Sequence, residues 1–299
     1  VFKKVTSVFI FFLNVFLAVY PIFENMGSDV TAPQPAAASI VVTQETVYSE
    51  YLEREVVIDL YVPEMAPHPA EMSLLLINDG QDMPKMPFDE ILGNLIGSGA
   101  IEPLYCVGIH CGAERKREYG TAYSADYLHR GDKAGLYNKF IFEELLPFIR
   151  KHFDAPVFKD KAFAGFSLGG LSALDIVWNH AAEFNKVGLF SGSLWWRRKS
   201  YEDGYDDEMD RLMHLQIRKG VFHPWLKFFL QCGALDEKAD RNNNGIIDAI
   251  DDTLDLIVEL KAKGYTDQHL RYMEMPDGKH DVPTWALAFP DFLRWGWGR

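Results

Sequence analysis

The sequence predicts an α/β fold in which a mostly parallel central sheet is flanked by helices within a single domain. From Ser39 onward, short β-rich runs alternate with longer helical patterns, and Gly, Pro or Asp stands wherever the chain must turn. Several of the runs are apolar without interruption, as in strands covered on both faces. Neither a fixed-period repeat nor a break in composition divides residues 39–299, which read as one unit with inserted loops.

The elements follow in order. Val56 to Val62 alternates as a half-buried strand does, whereas Ser73 to Ile77, Leu104 to Ile109 and Trp225 to Gln231 are nearly continuous apolar runs. Asn138 to Phe153 places Phe140, Phe142, Leu145, Leu146 and Ile149 along one side of a helix, which Pro147 is expected to kink or end. Lys161 to Ala164 reads as a strand, Gly170 to Trp178 as the helix after it, Asp252 to Lys263 as a later helix and Leu270 to Met275 as the last strand.

Of the 299 residues, 48% are apolar and 14% aromatic, which excludes a disordered tail or a collagen-like repeat. Thirty Lys plus Arg against 43 Asp plus Glu give a net charge of −13, a surface that repels phosphate backbones and anionic lipid, so nucleic acid is not an expected partner. Three cysteines do not make a disulfide framework. Cys106 and Cys111 share one extended apolar stretch that holds them too far apart to bridge, and the pairing of Cys232 stays open.

Lys3 and Lys4 precede an uncharged apolar run, Val5 to Phe23, which reads as a signal peptide or an N-terminal anchor over residues 1–23. Asn14 and Pro21 interrupt the run, and the clean A-x-A triplet, Ala36 to Ala38, lies far downstream. Residues 24–38 read as a linker. The expectation is an exported protein, periplasmic or extracellular, or one tethered to a membrane through residues 5–23.

Gly165-Phe166-Ser167-Leu168-Gly169 joins the strand-like Lys161 to Ala164 to the helical Gly170 to Trp178, which is G-x-S-x-G in a strand-turn-helix context. A sharp, strained turn lifts the Ser hydroxyl out of the sheet, and the flanking glycines leave room that a Cβ would fill. A serine nucleophile needs a base and an acid, in the chain order Ser, acid, His. Asp236, just past the run Trp225 to Gln231, is the expected acid, with Glu237 as its rival. His280, in the turn Pro276-Asp277-Gly278-Lys279-His280, is the expected base. The oxyanion hole is expected from the backbone N–H groups of Leu168 and of Gln81, which follows the turn Asn78-Asp79-Gly80.

The set Asp79-Gly80-Gln81-Asp82, Arg117-Glu118-Tyr119, Glu143-Glu144-Leu145-Leu146-Pro147, Gly165 to Gly170, Ser191-Gly192-Ser193-Leu194-Trp195-Trp196 and Gly278-Lys279-His280 resembles the putative esterase family, from about residue 45 to the C-terminus. That family includes enterochelin esterases, feruloyl esterases, S-formylglutathione hydrolase and mycolyltransferases. The resemblance implies an α/β-hydrolase fold, with Ser167 as nucleophile, His280 as base and Asp236 as acid. It also implies that Trp195 and Trp196 sit near the acyl pocket. The expected activity is hydrolysis of carboxylic esters through an acyl-enzyme with no catalytic cofactor. Substrates would be feruloyl or acetyl groups on polysaccharide, or a small catecholate siderophore ester. An acyltransferase and a non-catalytic Ca²⁺-dependent binding module are the alternatives.

Asp240 to Asp251 fits a twelve-position Ca²⁺ loop: Asp240, Asn242, Asn244 and Asp248 at positions 1, 3, 5 and 9, Gly245 at the bend, and Asp251 at position 12. The backbone carbonyl of Ile246 would be a further ligand. The expectation is a structural Ca²⁺ that fixes the loop carrying the acid.

Overall fold

The computed structural model describes residues 36–65 and 68–299. Its strands are β1 (Ile40–Ser49), β2 (Arg54–Pro63), β3 (Ser73–Asn78), β4 (Leu104–Ile109), β5 (Lys161–Phe166), β6 (Lys186–Phe190), β7 (Lys227–Leu235) and β8 (Leu270–Lys279). The helices are α1 (Phe88–Gly97), α2 (Arg115–Glu118), α3 (Ala134–Lys139), α4 (Leu146–His152), α5 (Leu168–Asn179), α6 (Asp207–Asp210), α7 (Leu212–Lys219), α8 (Asp248–Lys263) and α9 (Val282–Trp297). The strands form one sheet in the order β1-β2-β4-β3-β5-β6-β7-β8. β1 and β2 are antiparallel, β2 meets β4 antiparallel, and every pairing from β4 to β8 is parallel. The strand order reverses around β3, so the carboxyl ends of β3 and β5 border the crevice where ligands bind in open α/β sheets.

All six residues of β3 are buried, and alternate side chains enter different layers. Leu74 and Leu76 pack with Leu171 and Leu174 of α5, Met213 of α7 and Leu256 and Leu260 of α8. Leu75 and Ile77 pack with Phe88 and Leu92 of α1 and Phe289 and Phe292 of α9. Uninterrupted apolar strands arise because each face carries its own helices.

Several boundaries differ from the sequence expectation. Asn138 to Phe153 does not stop at Pro147; a π-helical turn, Phe140–Leu145, joins α3 to α4. The wider turn accommodates a residue that lacks an N–H and whose ring would press on the carbonyl four residues back. The last strand runs on through Pro276 to Lys279, because its end pairs with β7 past an irregularity at Gly233. α8 starts at Asp248 rather than Asp252. Residues 36–38, read as linker, lie against α1, with the Ala38 N–H donating to the Gly93 carbonyl at 2.9 Å. The signal or anchor at residues 1–23 and linker residues 24–35 lie outside the described residues. Among the described residues no helix is long and apolar enough to cross a membrane. Cys106, Cys111 and Cys232 are all free thiols.

Candidate active site

Ser167 follows the last residue of β5 and precedes the first of α5, with φ 54° and ψ −122°. Positive φ is costly for a residue with a Cβ, and the neighbours hold it there. The Ser167 N–H donates to the Phe190 carbonyl at 2.9 Å, and the Ser167 carbonyl accepts from the N–H groups of Gly170, Leu171 and Ser193 at 3.1, 3.2 and 3.1 Å. The glycines are required by close approach: a Cβ on Gly165 would lie 2.3 Å from the Gly169 oxygen, and one on Gly169 would lie 2.5 Å from an Asp79 carboxylate oxygen. The Ser167 hydroxyl is 3.4 Å from that of Ser193.

Strand register brings the other side chains to this edge. Phe166 pairs with Phe190, so Ser167 and Ser191 are next in line on neighbouring strands. Leu235 pairs with Lys279, so Asp236 and His280 leave the sheet side by side. Ser191 is also at positive φ (48°). Its hydroxyl accepts from the Trp285 indole N–H at 3.0 Å, and the Trp285 ring meets His280 edge to face at 5.4 Å. His280 is fixed from behind: Asp281 caps α9 by accepting the Thr284 N–H at 3.0 Å, and the Lys279 N–H donates to the Thr284 hydroxyl at 2.9 Å.

One cavity of about 280 Å³ is lined by Ser167, Ser191, Gly192, Ser193, Trp195, Asp236, Glu237, Ala249 and His280. Among the expected catalytic residues, Ser167, Asp236 and His280 therefore share one wall. A larger cleft of about 500 Å³ lies at the opposite edge, by Pro103 and Lys159 ahead of β4 and β5, and offers no nucleophile with a base.

Packing around the His280 ring, which keeps a face open to solvent, lowers its pKa below that of an ordinary imidazole. Asp236 and Asp281 oppose that shift and Arg115 adds to it. Burial raises the Asp236 carboxyl above the usual carboxylate range, against favourable influences from Ser191, the Gly233 N–H and His280. Both Asp236 carboxylate oxygens are buried without a hydrogen-bond partner. The charged and polar groups on this side influence one another, but no hydrogen bond holds the Asp236 carboxylate.

Leu168 opens α5, so its N–H has no intrahelical acceptor. Gln81 lies in a short 3₁₀ stretch, Gly80–Lys85, after Asp79 at φ 61°. The Gln81 side-chain carbonyl accepts the Cys111 N–H at 3.1 Å. Leu168 directly follows Ser167, and neither it nor Gln81 is among the described residues lining the cavity. The two tryptophans diverge: Trp195 lines the cavity, whereas Trp196 is fully buried in the core and is corrected to a packing residue. Arg130 lies over both indoles, at 4.8 and 5.4 Å from their ring centroids.

A pair that the sequence did not reveal supports the Ser167 turn. Arg115 donates from Nε and Nη2 to the two Asp79 oxygens, each at 2.6 Å, and reaches the Phe166 carbonyl at 3.4 Å. Asp79 was visible as part of a motif, but nothing in the chain links it to a residue 36 positions away. Ser193 was likewise visible only within Ser191-Gly192-Ser193.

In the acidic loop, Asp240 accepts the N–H groups of Asn244 and Gly245 at 3.1 and 2.9 Å. Asn242 and Asn244 both donate side-chain N–H groups to one Asp251 oxygen, at 2.9 and 2.8 Å. Four expected ligands thus share one cluster. Asp248 does not join it: its carboxylate accepts the Arg241 N–H at 2.8 Å and pairs with the Arg241 guanidinium at 3.1 Å. Among the described residues no group of three or more His, Cys, Asp or Glu side chains converges to hold a metal.

Comparison with known proteins follows the same lines. No match is found among curated proteins. Among solved structures the chain is similar to the enterochelin esterase from Shigella flexneri, at 20% identity and a TM-score of 0.66, over 87% of this chain and 59% of that one. It is similar to a ferulic acid esterase at 18% identity and 0.61, over 86% and 97%. An IroE-like serine hydrolase from Shewanella oneidensis gives 21% identity and 0.62, over 85% and 79%. These likenesses identify the α/β-hydrolase fold, and the chain spans about three fifths of the enterochelin esterase it matches. The family model described as putative esterase matches residues 49–295. With that match running over most of its length, the chain belongs to the putative esterase family.

Proposed function

We propose that the protein is a serine hydrolase of carboxylic esters working through an acyl-enzyme. One observation carries the reading: a serine at positive φ, heading a helix, shares a cavity wall with an imidazole and a carboxylate delivered by neighbouring strand ends. Ser167 attacks the ester carbonyl while His280 takes its proton. Asp236 orients the imidazole and stabilises its charged form, and the N–H groups of Leu168 and Gln81 hold the oxyanion. His280 then returns the proton to the leaving alkoxide, and water deacylates the serine by the reverse route. A His280 pKa below the ordinary value keeps the base neutral, and so competent, into mildly acidic solution.

The substrate class comprises feruloyl or acetyl groups on polysaccharide and catecholate esters, and Trp195 on the cavity wall favours acyl groups with a flat face. Export or tethering by residues 5–23 belongs to the same reading. So does a structural Ca²⁺ held by Asp240, Asn242, Asn244 and Asp251, which would steady the loop between Asp236 and α8. Asp248 would join only by leaving Arg241.

The test is labelling with a fluorophosphonate alongside a panel of feruloyl, acetyl, short-chain acyl and catecholate esters. Wild type is expected to label and to cleave at least one ester class, and Ser167→Ala to do neither. Equal labelling of the two proteins overturns the assignment of the nucleophile.

A further inference from the structure

Glu237 has no part in the chemistry above, yet its side chain lines the cavity beside Asp236, Ala249 and His280. The carboxylate is half-buried and lies at the first turn of α8, where the Ala249 N–H favours its ionised form. Burial above all, with the neighbouring Asp248, Asp252 and Asp236, outweighs that influence and raises the carboxyl above the usual carboxylate range. What the geometry supplies is a carboxylate on the wall of the reaction chamber beside the first turn of a 16-residue helix.

No cation balances it there. The described residues lining the cavity include no Lys or Arg. Arg115, which acts on His280, is held by both Asp79 oxygens. The wall therefore presents two carboxyl groups, three serine hydroxyls, one indole and one imidazole kept largely neutral by its surroundings. The chain as a whole, at −13, adds a field of the same sign. A cavity of about 280 Å³ leaves an ester positioned for Ser167 little room to keep a charged substituent far from Glu237.

We propose that Glu237 is a specificity residue that sorts esters by charge, admitting neutral and cationic substrates and excluding anionic ones. The inference rests on the serine-esterase reading and narrows it. A neutral acyl ester on a carbohydrate suits this wall, whereas a ferric catecholate complex, which is a polyanion, is repelled by it.

The test uses three esters with one chromogenic leaving group and acyl chains of equal length ending in a methyl, a carboxylate or a trimethylammonium group. Wild type is expected to favour the neutral over the anionic ester by about tenfold or more in kcat/KM at low salt. The preference should shrink at roughly 0.5 M salt, where the repulsion between like charges is screened. Glu237→Gln keeps an acceptor for the Ala249 N–H and removes the charge; it is expected to raise the anionic-to-neutral ratio about tenfold, and Glu237→Lys to raise it further. A uniform fall on all three esters in Glu237→Gln, with the ratio unchanged, marks a structural role and overturns the inference. The salt series needs only wild type, so a variant that fails to fold does not rescue it: a salt-independent ratio near one is equally fatal. Wild type that cleaves none of the three and shows no Ser167-dependent labelling sinks the esterase reading itself. Ser167-dependent cleavage without charge discrimination sinks only the role of Glu237.

Discussion

On the β3–β5 side of the rim both Asp79 oxygens meet Arg115 at 2.6 Å, and Asn78 donates to the Gly169 carbonyl at 2.9 Å while accepting from the Tyr137 hydroxyl at 2.6 Å. On the β7–β8 side both Asp236 oxygens are buried with no hydrogen bond, and Glu237 faces Asp248 and Asp252 across the start of α8. The Ser167 side is satisfied before any substrate arrives, and so contributes to both folding and preorganisation. The Asp236 side holds buried negative charge at a cost to stability, the pattern expected where function rather than folding has set the residue types.

The sharpest way to break this contrast is Asp236→Asn. Activity is expected to fall ~10³–10⁴-fold, as when the orienting acid of such a triad is neutralised, while Tm holds or rises. The sign follows from linkage: a carboxyl raised in the folded state contributes stability only below its unfolded pKa, and that contribution is lost as pH rises through the folded value. An amide removes the loss. The acidic limb of kcat/KM, expected below the ordinary imidazole value of about 6.5, should move lower still in the variant, because Asp236 no longer favours the charged ring. Lost stability with intact activity would reverse the assignment of the two sides.

Arg115→Ala probes the opposite side. It strands the buried Asp79 carboxylate next to the Ser167 turn and is expected to cost about 3 kcal/mol in denaturant unfolding, along with activity. A cost within about 0.5 kcal/mol, typical of a surface change, would show that the pair is not what stiffens this side.

The smallest effect is expected from Ca²⁺. Saturating ion should add about 2 kcal/mol, or roughly 4–8 °C in Tm, and Asp251→Ala should abolish the gain. A Tm indifferent to both Ca²⁺ and chelator would leave the loop after Asp236 supported by Arg241 alone.

What the sequence disclosed and what it hid divide along the same line. The Ser167 turn is local, since five consecutive residues contain both the strain and the space it needs. Asp236 and His280 could be proposed because each follows a strand-like run, and strand register places them side by side. Trp195 and Trp196 are adjacent in a loop with no period, so the sequence does not say which of them faces the cavity. The Asp79–Arg115 pair forms between separate loops, and a guanidinium leaves no pattern that names its partner. Pro147 does not end its helix, because the penalty for a proline assumes an α-helical turn and the backbone before it widens into a π-helical one.

The three free thiols share one chemical consequence. Cys106 and Cys232 are enclosed, and burial pushes the Cys232 thiol up to about 12, while Cys111 at the end of β4 rises to about 11. At neutral pH only about one Cys111 molecule in 10⁴ is then a thiolate, the form that exchanges with disulfides. The fold thus leaves sulfur chemistry suppressed rather than used.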